Sequence, residues 1–154
     1  MAPAWRRWFE LFVSTPACAG FPTLHVDVCH IHAYSMQIQG TKRFTFFPPG
    51  DAPCLYPLPP SCTASDLPTD LDAVDLDVHP EFRNARGACV DLAPGETLYM
   101  PAGWWHTAKA ISEEPSVTIA GSFVGRDNHE SFLDDHCDFL AAQSLQARGA
   151  VSID

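Results

Sequence analysis

Four short β-rich runs in the second half of the chain constrain its fold most strongly. They cover residues 87–92, 97–100, 106–111 and 116–123, and turn residues separate them: Pro94-Gly95-Glu96, Ala102-Gly103 and Glu113-Glu114-Pro115. Many short strands at such spacing are typical of an antiparallel sandwich or barrel. The same reasoning predicts strands at 10–14, 23–28, 35–39 and 42–47, the last two as a hairpin around Gly40-Thr41.

A helix is predicted at the C-terminal end. Asp127 or Asn128 is suited to cap it, the helix runs over 129–148, and Gly149 stops it. Its apolar stripe is predicted to pack on the outside of the sheets or to pair with a second copy as a homodimer: Phe132, Leu133, Phe139, Leu140 and Leu145. This division predicts a barrel domain over 1–126 and a helix and tail over 127–154.

Composition narrows the class of protein. The 154 residues fit one domain, and 46% hydrophobic against 18% charged residues favours a globular, strand-rich chain. A net charge of −10 disfavours nucleic acid as a partner and favours a basic one. No apolar run is long enough to span a membrane.

Cysteine usage points to a reducing compartment. The six cysteines form no Cys-x-x-Cys pair, and no secretory leader opens the sequence. We therefore expect a soluble cytoplasmic or nuclear protein whose thiols are reduced and act as small buried apolar groups.

Residues 52–80 interrupt the strand pattern with many prolines, serines and aspartates. A connection of this length is predicted to be a lid, a substrate-binding loop or a loosely ordered insert. This segment has as many aspartates as a calcium-binding loop could use: Asp66, Asp70, Asp72, Asp75 and Asp77. It lacks the central glycine and the terminal glutamate of an EF-hand. A solvated acidic loop is the favoured prediction.

His25-x-Asp27 and the distant His106 predict a metal centre. Residues two apart project from the same face of a strand, so His25 and Asp27 can bind one ion, and His106 would arrive from another strand. Two imidazoles and one carboxylate suit Fe(II), with open positions for an organic cosubstrate and then O2. His30 and His32 are not expected to bind the metal, and a hydrogen-bonding or pocket role near the site is an open alternative for them.

The ordered motifs resemble those of the cupin-like JmjC oxygenases, of the type of the asparaginyl hydroxylase that acts on hypoxia-inducible factor. The resemblance runs from about residue 11 to 123 and rests on His25-x-Asp27, Gln37-Ile38-x-Gly40-x-Lys42-Arg43, Phe47-Pro48-Pro49, Leu55-Tyr56-Pro57 and Pro94-Gly95-Glu96-Thr97-Leu98-Tyr99-Met100-Pro101-x-Gly103-Trp104-Trp105-His106.

The resemblance implies a mainly β fold, a double-stranded β-helix of the cupin or jelly-roll type. It implies Fe(II) on His25, Asp27 and His106, with 2-oxoglutarate chelating the iron and its distal carboxylate paired with Lys42. Thr23 and Ser122 are further expected cosubstrate contacts. The implied reaction with O2 gives an iron-oxo species that removes a hydrogen atom from a C–H bond of a protein, peptide or small-molecule substrate. Apolar walls would come from aromatic residues: Phe44, Phe46, Tyr99, Trp104 and Trp105.

Two departures from the family pattern leave other functions open. The segment between Asp27 and Gly40 is two residues longer than in the asparaginyl hydroxylase, and the N-terminal portion is short, which predicts an open sheet edge. The alternatives are a non-catalytic cupin-type module that retains the metal site, and a metal cupin enzyme that does not use 2-oxoglutarate. Lys42 argues against the second.

Overall fold

The computed structural model describes residues 9–17, 23–59 and 62–149, with the backbone alone for 139 and 142–149. Seven strands occupy this part of the chain: β1 (Phe9–Ser14), β2 (His32–Gln39), β3 (Lys42–Phe47), β4 (Ala88–Leu92), β5 (Thr97–Met100), β6 (Trp105–Ala110) and β7 (Ser116–Phe123). One helix, α1 (His129–Gly149), follows them. The predicted mainly β fold with a C-terminal helix is confirmed.

The strands form two antiparallel sheets. One has the order β1-β7-β2-β5 and the other β4-β3-β6. The register places Ala33 opposite Ser122 and Met100 in the first sheet, and Lys42 opposite Leu92 and Ala110 in the second. Between the sheets lies a core of small and apolar side chains: Ala33, Phe44, Leu92, Met100 and Ala108. This is the jelly-roll arrangement expected from the motifs, and β1 lies at one edge of its sheet among the described strands.

The predicted hairpin of 35–39 and 42–47 is wrong. Both strands exist, but β2 pairs with β5 and β7, whereas β3 pairs with β4 and β6. The chain crosses from one sheet to the other at Gly40, where φ is +67° and an added Cβ would lie 2.9 Å from the Pro115 carbonyl oxygen. A local turn pattern does not reveal whether consecutive strands pair with each other or face each other across a core.

The excursion over 52–80 contributes to the core, so it is not a loose insert, while a role as a lid stays a prediction. It supplies Leu55 and Leu67 to a second core with Leu24, Phe47 and Trp105. Asp70 and Asp72 bind Lys109 on the outer face of β6, and that hydrogen bond lowers the pKa of Asp72. The acidic segment is therefore anchored to the barrel through Asp70 and Asp72, whose side chains are 42% and 81% exposed, in agreement with a solvated acidic loop.

Helix α1 contacts the 3-10 turn Val28–His30 through its first turns, while Leu133 and Leu140 on its predicted apolar stripe are exposed. Pairing of α1 with a second copy stays a prediction. No helix in the described part of the chain is both long and apolar enough to cross a membrane.

The cysteines do not behave as predicted. Cys62, Cys89 and Cys137 are exposed, and Cys29 and Cys54 are half-buried. All five are unpaired, in agreement with reduced thiols, but none is the buried apolar group expected; Cys18 lies outside the described residues. Cys89 illustrates the reason, because β4 is an edge strand that leaves its first four residues exposed.

Candidate metal centre

His25 is fixed by the edge of β6 and not by a strand of its own. The predicted strand over 23–28 is wrong: His25 forms single antiparallel bridges with His106 and Ala64, and the chain then turns into Val28–His30. The His25 and His106 backbones exchange two hydrogen bonds of 3.1 and 2.8 Å. This bridge brings together two histidines that are distant in the sequence.

The histidine rings are oriented by backbone carbonyls. Nδ1 of His25 donates to the Thr23 carbonyl oxygen at 2.9 Å, and Nδ1 of His106 donates to the Trp104 carbonyl oxygen at 3.1 Å. With the proton assigned to Nδ1, each Nε2 carries a free lone pair. Such contacts fix the tautomer and orientation of metal-binding imidazoles.

His25, Asp27 and His106 place three ligand atoms within 4.8 Å of one another. Nε2 of His25 lies 3.6 Å from Oδ1 of Asp27, and the two imidazole centroids are 4.3 Å apart. Two neutral nitrogens and one carboxylate oxygen form the donor set that Fe(II) takes up with positions left open. The residues present therefore fit the metal that the motifs predict.

The electrostatics of the cluster favour the metal-binding protonation states. Burial, and then the charge of His25, lower the pKa of His106 despite the opposing effect of Asp27. Burial alone would raise the pKa of Asp27, but the adjacent His25, together with the charges that both histidines carry when protonated, lowers it. At neutral pH His106 is therefore a neutral ligand and Asp27 a negatively charged one.

The cluster lies on the wall of a cavity of about 940 Å³ between the two sheets. Lys42 lines the same cavity and is only 4% exposed, with its Nζ 5.8 Å from the centre of the Phe12 ring. The pairing of β3 with β6 places Phe46 beside His106 and Lys42 beside Ala110. The metal cluster and Lys42 are therefore offset by four residues along the strand direction, which corresponds to roughly 13 Å.

Of the two other predicted cosubstrate contacts, one lines the cavity and one does not. Ser122 lines the cavity, whereas Thr23 is exposed and is absent from the cavity wall; its carbonyl instead orients His25. Sequence reasoning missed Ser35 and Thr118, two buried polar residues of the wall, and Glu10 beside them. The alternation of side chains along β2 and β7 was the signal available for the first two.

The aromatic residues predicted to form the cavity wall also differ in position. Phe44 lines the cavity and Phe46 lies 6.2 Å from the His106 ring, but Trp105 belongs to the second core. Tyr99 lies on the outer side and is 51% exposed. The prediction of cavity walls therefore holds for Phe44 and is wrong for four residues that do not line the cavity: Phe46, Tyr99, Trp104 and Trp105.

His32 forms hydrogen bonds away from the metal cluster and is not one of its three residues. Its Nδ1 accepts from the Ala102 amide at 3.0 Å and lies 3.0 Å from the Tyr99 hydroxyl. Its Nε2 lies 3.2 Å from an Asp127 carboxylate oxygen. The buried ring thus joins β2 to the residues that precede α1.

Comparison with known proteins identifies relatives over the barrel. The chain is 38% identical over 102 residues to "HSPB1-associated protein 1" of Homo sapiens, covering 62% of this chain and 20% of that protein. It is 31% identical over 108 residues to "Lysine-specific demethylase JMJ21" of Arabidopsis thaliana (68% and 11%). It is 37% identical over 95 residues to "tRNA wybutosine-synthesizing protein 5" of Mus musculus (62% and 28%).

The sequence profile of the "Cupin-like domain" matches residues 9–123, from β1 to the end of β7. The chain spans only 11–28% of the length of the three relatives named above. The match contains both sheets and the whole His-Asp-His cluster. The chain therefore belongs to the cupin-like domain family, within the JmjC type of cupin.

Proposed function

We propose that this chain is an Fe(II)- and 2-oxoglutarate-dependent oxygenase that hydroxylates a side chain of a protein or peptide. One observation carries the proposal: the His25, Asp27 and His106 ligand atoms lie in one cavity with the buried cation of Lys42. A metal site alone would suit many cupins. The lysine adds a partner for an anionic cosubstrate.

Each residue has a defined part in this function. His25 and His106 direct Nε2 at the ion, and Asp27 supplies the negative ligand. Lys42 offsets the charge of the distal carboxylate, which is costly to bury unpaired. Phe44 and Met100 keep water from that part of the cavity. When bound, Fe(II) with 2-oxoglutarate and O2 supplies an oxidant that removes hydrogen from a C–H bond.

The substrate proposed is a basic segment of protein. The net charge of −10 attracts cationic partners, and Glu10 adds a carboxylate at the cavity. Relatives named for association with a protein are consistent with a macromolecular partner. A small-molecule substrate is the outcome expected if acidic, neutral and basic peptides all leave turnover unchanged.

Anaerobic titration tests the cosubstrate site. Adding Fe(II) and then 2-oxoglutarate should produce the visible charge-transfer absorption of a bidentate keto acid on iron. His25→Ala and Asp27→Ala should abolish the band, and His136→Ala on α1 should keep it. Metal binding without the band in the unaltered chain would favour the non-catalytic module.

Aerobic turnover tests the activity. Succinate should form from 2-oxoglutarate only when Fe(II) is present, and its formation should disappear in His25→Ala and Asp27→Ala. Succinate release that persists in both variants would contradict the proposed centre.

A further inference from the structure

The segment after Asp27 has an unusual backbone. It forms the 3-10 turn Val28–His30, in which Cys29 and His30 have φ values of 56° and 50°. Positive φ is uncommon for residues other than glycine, and two in succession persist only where surrounding contacts hold them. The turn that presents Asp27 to the cavity therefore depends on contacts from another part of the fold.

Asn128, immediately before α1, supplies the closest of these contacts. Its Nδ2 donates to the His30 carbonyl oxygen at 2.6 Å, and its Oδ1 accepts from the Gly125 amide at 2.6 Å. The residue is 4% exposed. Because both ends of this buried amide are bonded, it cannot turn away without leaving polar groups unpaired. Asn128 thus fixes the peptide group of His30.

Two contacts between a histidine nitrogen and a carboxylate extend the same contact. Nδ1 of His30 lies 3.3 Å from Oδ2 of Asp135, in the second turn of α1. Nε2 of His32 lies 3.2 Å from Oδ2 of Asp127. Residues 127, 128 and 135 therefore bind the chain at positions 30 and 32, between the Asp27 ligand and the body of β2.

We propose that Asn128 is a positioning residue for the metal centre. By holding the left-handed residues Cys29 and His30, it keeps the Asp27 carboxylate facing the two imidazoles. The inference rests on the proposed metal site and adds that α1, outside the barrel, contributes to metal affinity. Asn128 itself touches neither metal nor substrate.

Asn128→Asp tests this role. The change keeps the acceptor for Gly125, removes the donor to His30 and places a carboxylate opposite a carbonyl. Asn84→Asp is the matched control, because exposed Asn84 also loses a donated hydrogen bond, to Glu81, and gains the same charge. Co(II) is the probe, since its visible absorption reports coordination geometry without turnover.

Asn128→Asp should bind Co(II) about tenfold more weakly than the unaltered chain, with altered visible absorption bands, at temperatures below its metal-free melting temperature. Asn84→Asp should match the unaltered chain in both affinity and spectrum. His25→Ala gives the background from Co(II) bound elsewhere, for example at thiols. Equal Co(II) affinity and spectra for Asn128→Asp and Asn84→Asp would overturn the inference.

If Asn128→Asp does not fold, Asp135→Asn provides the test. The Asp135 side chain is 48% exposed, so its replacement is tolerable, and Asp134→Asn on the same helix is its control. Asp135→Asn should weaken Co(II) binding and Asp134→Asn should not. Equal affinities would overturn the inference.

The outcomes also separate this inference from the proposed activity. If the unaltered chain binds no Co(II) above the His25→Ala background, both the proposed metal site and the positioning role of Asn128 are refuted. Asn128→Asp could bind Co(II) more weakly while the unaltered chain with Fe(II) gives no keto-acid band on adding 2-oxoglutarate. In that case the positioning role of Asn128 would stand and the proposed oxygenase activity would not.

Discussion

Lys42 is the residue that most directly distinguishes a 2-oxoglutarate-dependent oxygenase from a protein that only binds a metal. It is buried in the cavity, and β3 places it four residues from the level of His106. A buried cation distant from the metal should affect the anionic cosubstrate and not the ion.

Lys42→Ala should raise the 2-oxoglutarate concentration needed for half-maximal succinate formation by tenfold or more, because the distal carboxylate loses its partner. Co(II) affinity should stay unchanged. Lys109→Ala, which removes the other lysine of the chain from the outer face, is the control. Parallel losses of cosubstrate and Co(II) binding in Lys42→Ala would show that Lys42 serves the fold.

At this scale the sequence predicted all three residues of the His-Asp-His cluster. His25, Asp27 and His106 could be named from spacing and motif, because their donor chemistry restricts the alternatives. The position of the Thr23 side chain could not be predicted. Its closeness to His25 in the sequence does not determine whether that side chain faces the cavity or the solvent. The role of Asn128 was also beyond prediction, because its partner His30 is 98 residues away.

Among the elements, β2 depends on the buried side chain of Gln37. Its Nε2 donates to the carbonyl oxygens of Gln39 and Gly40 and to Ser116 Oγ, while its Oε1 accepts from Thr118. The side chain is 1% exposed. It joins the crossing between the sheets to β7.

Gln37→Glu should lower the free energy of unfolding by about 2–4 kcal/mol, because it removes the donors from three acceptors and buries a charge. Gln39→Glu, on the exposed side, should change it by less than about 0.5 kcal/mol. Urea unfolding of both variants measures the difference. Equal stabilities would mean that water replaces the Gln37 contacts.

The strands were predictable from sequence, but their partners were not. The limits of β3 and β5 match the predicted runs, since prolines and glycines bound them. The separation of β2 from β3 into different sheets is set by long-range pairing with β7 and β6. Likewise, the excursion could not be recognised as core, because Leu55 and Leu67 become apolar partners of Trp105 only after folding.

A second inter-element contact predicts a pH dependence. Asp51, in the 3-10 turn Pro49–Cys54, is buried and accepts from the Arg86 guanidinium at 2.8 and 3.1 Å. Hydrogen bonds from Arg86 hold the pKa of Asp51 below its ordinary value. A lowered folded-state pKa stabilises the fold above the unfolded-state value, and this stabilisation is lost as pH falls through the folded-state value.

Asp51→Asn should therefore lower the melting temperature at pH 7, and the gap from the unaltered chain should narrow as the pH falls below about 4. Asp77→Asn in the exposed acidic segment is the control and should follow the unaltered chain. Melting curves from pH 7 to pH 3 provide the measurement. A gap that is constant with pH would mean that shape, and not charge, makes Asp51 stabilising.

For the whole molecule, the metal cluster brings together residues from three parts of the fold. His25 belongs to the segment that contacts the second core, His106 to the three-stranded sheet, and Asp27 to the turn beneath α1. An ion bound by all three is lost on unfolding. Metal binding should therefore stabilise the entire barrel.

Mn(II) at 100 times its dissociation constant should raise the free energy of unfolding by about 2.7 kcal/mol. For a domain of this size the melting temperature should rise by about 5–11 °C, and a chelator should reverse the rise. Asp27→Ala should show no rise at the same Mn(II) concentration, because the negative ligand is gone. Calorimetry with and without Mn(II) measures both, and an equal rise in the two proteins would place the stabilising ion outside the His-Asp-His cluster.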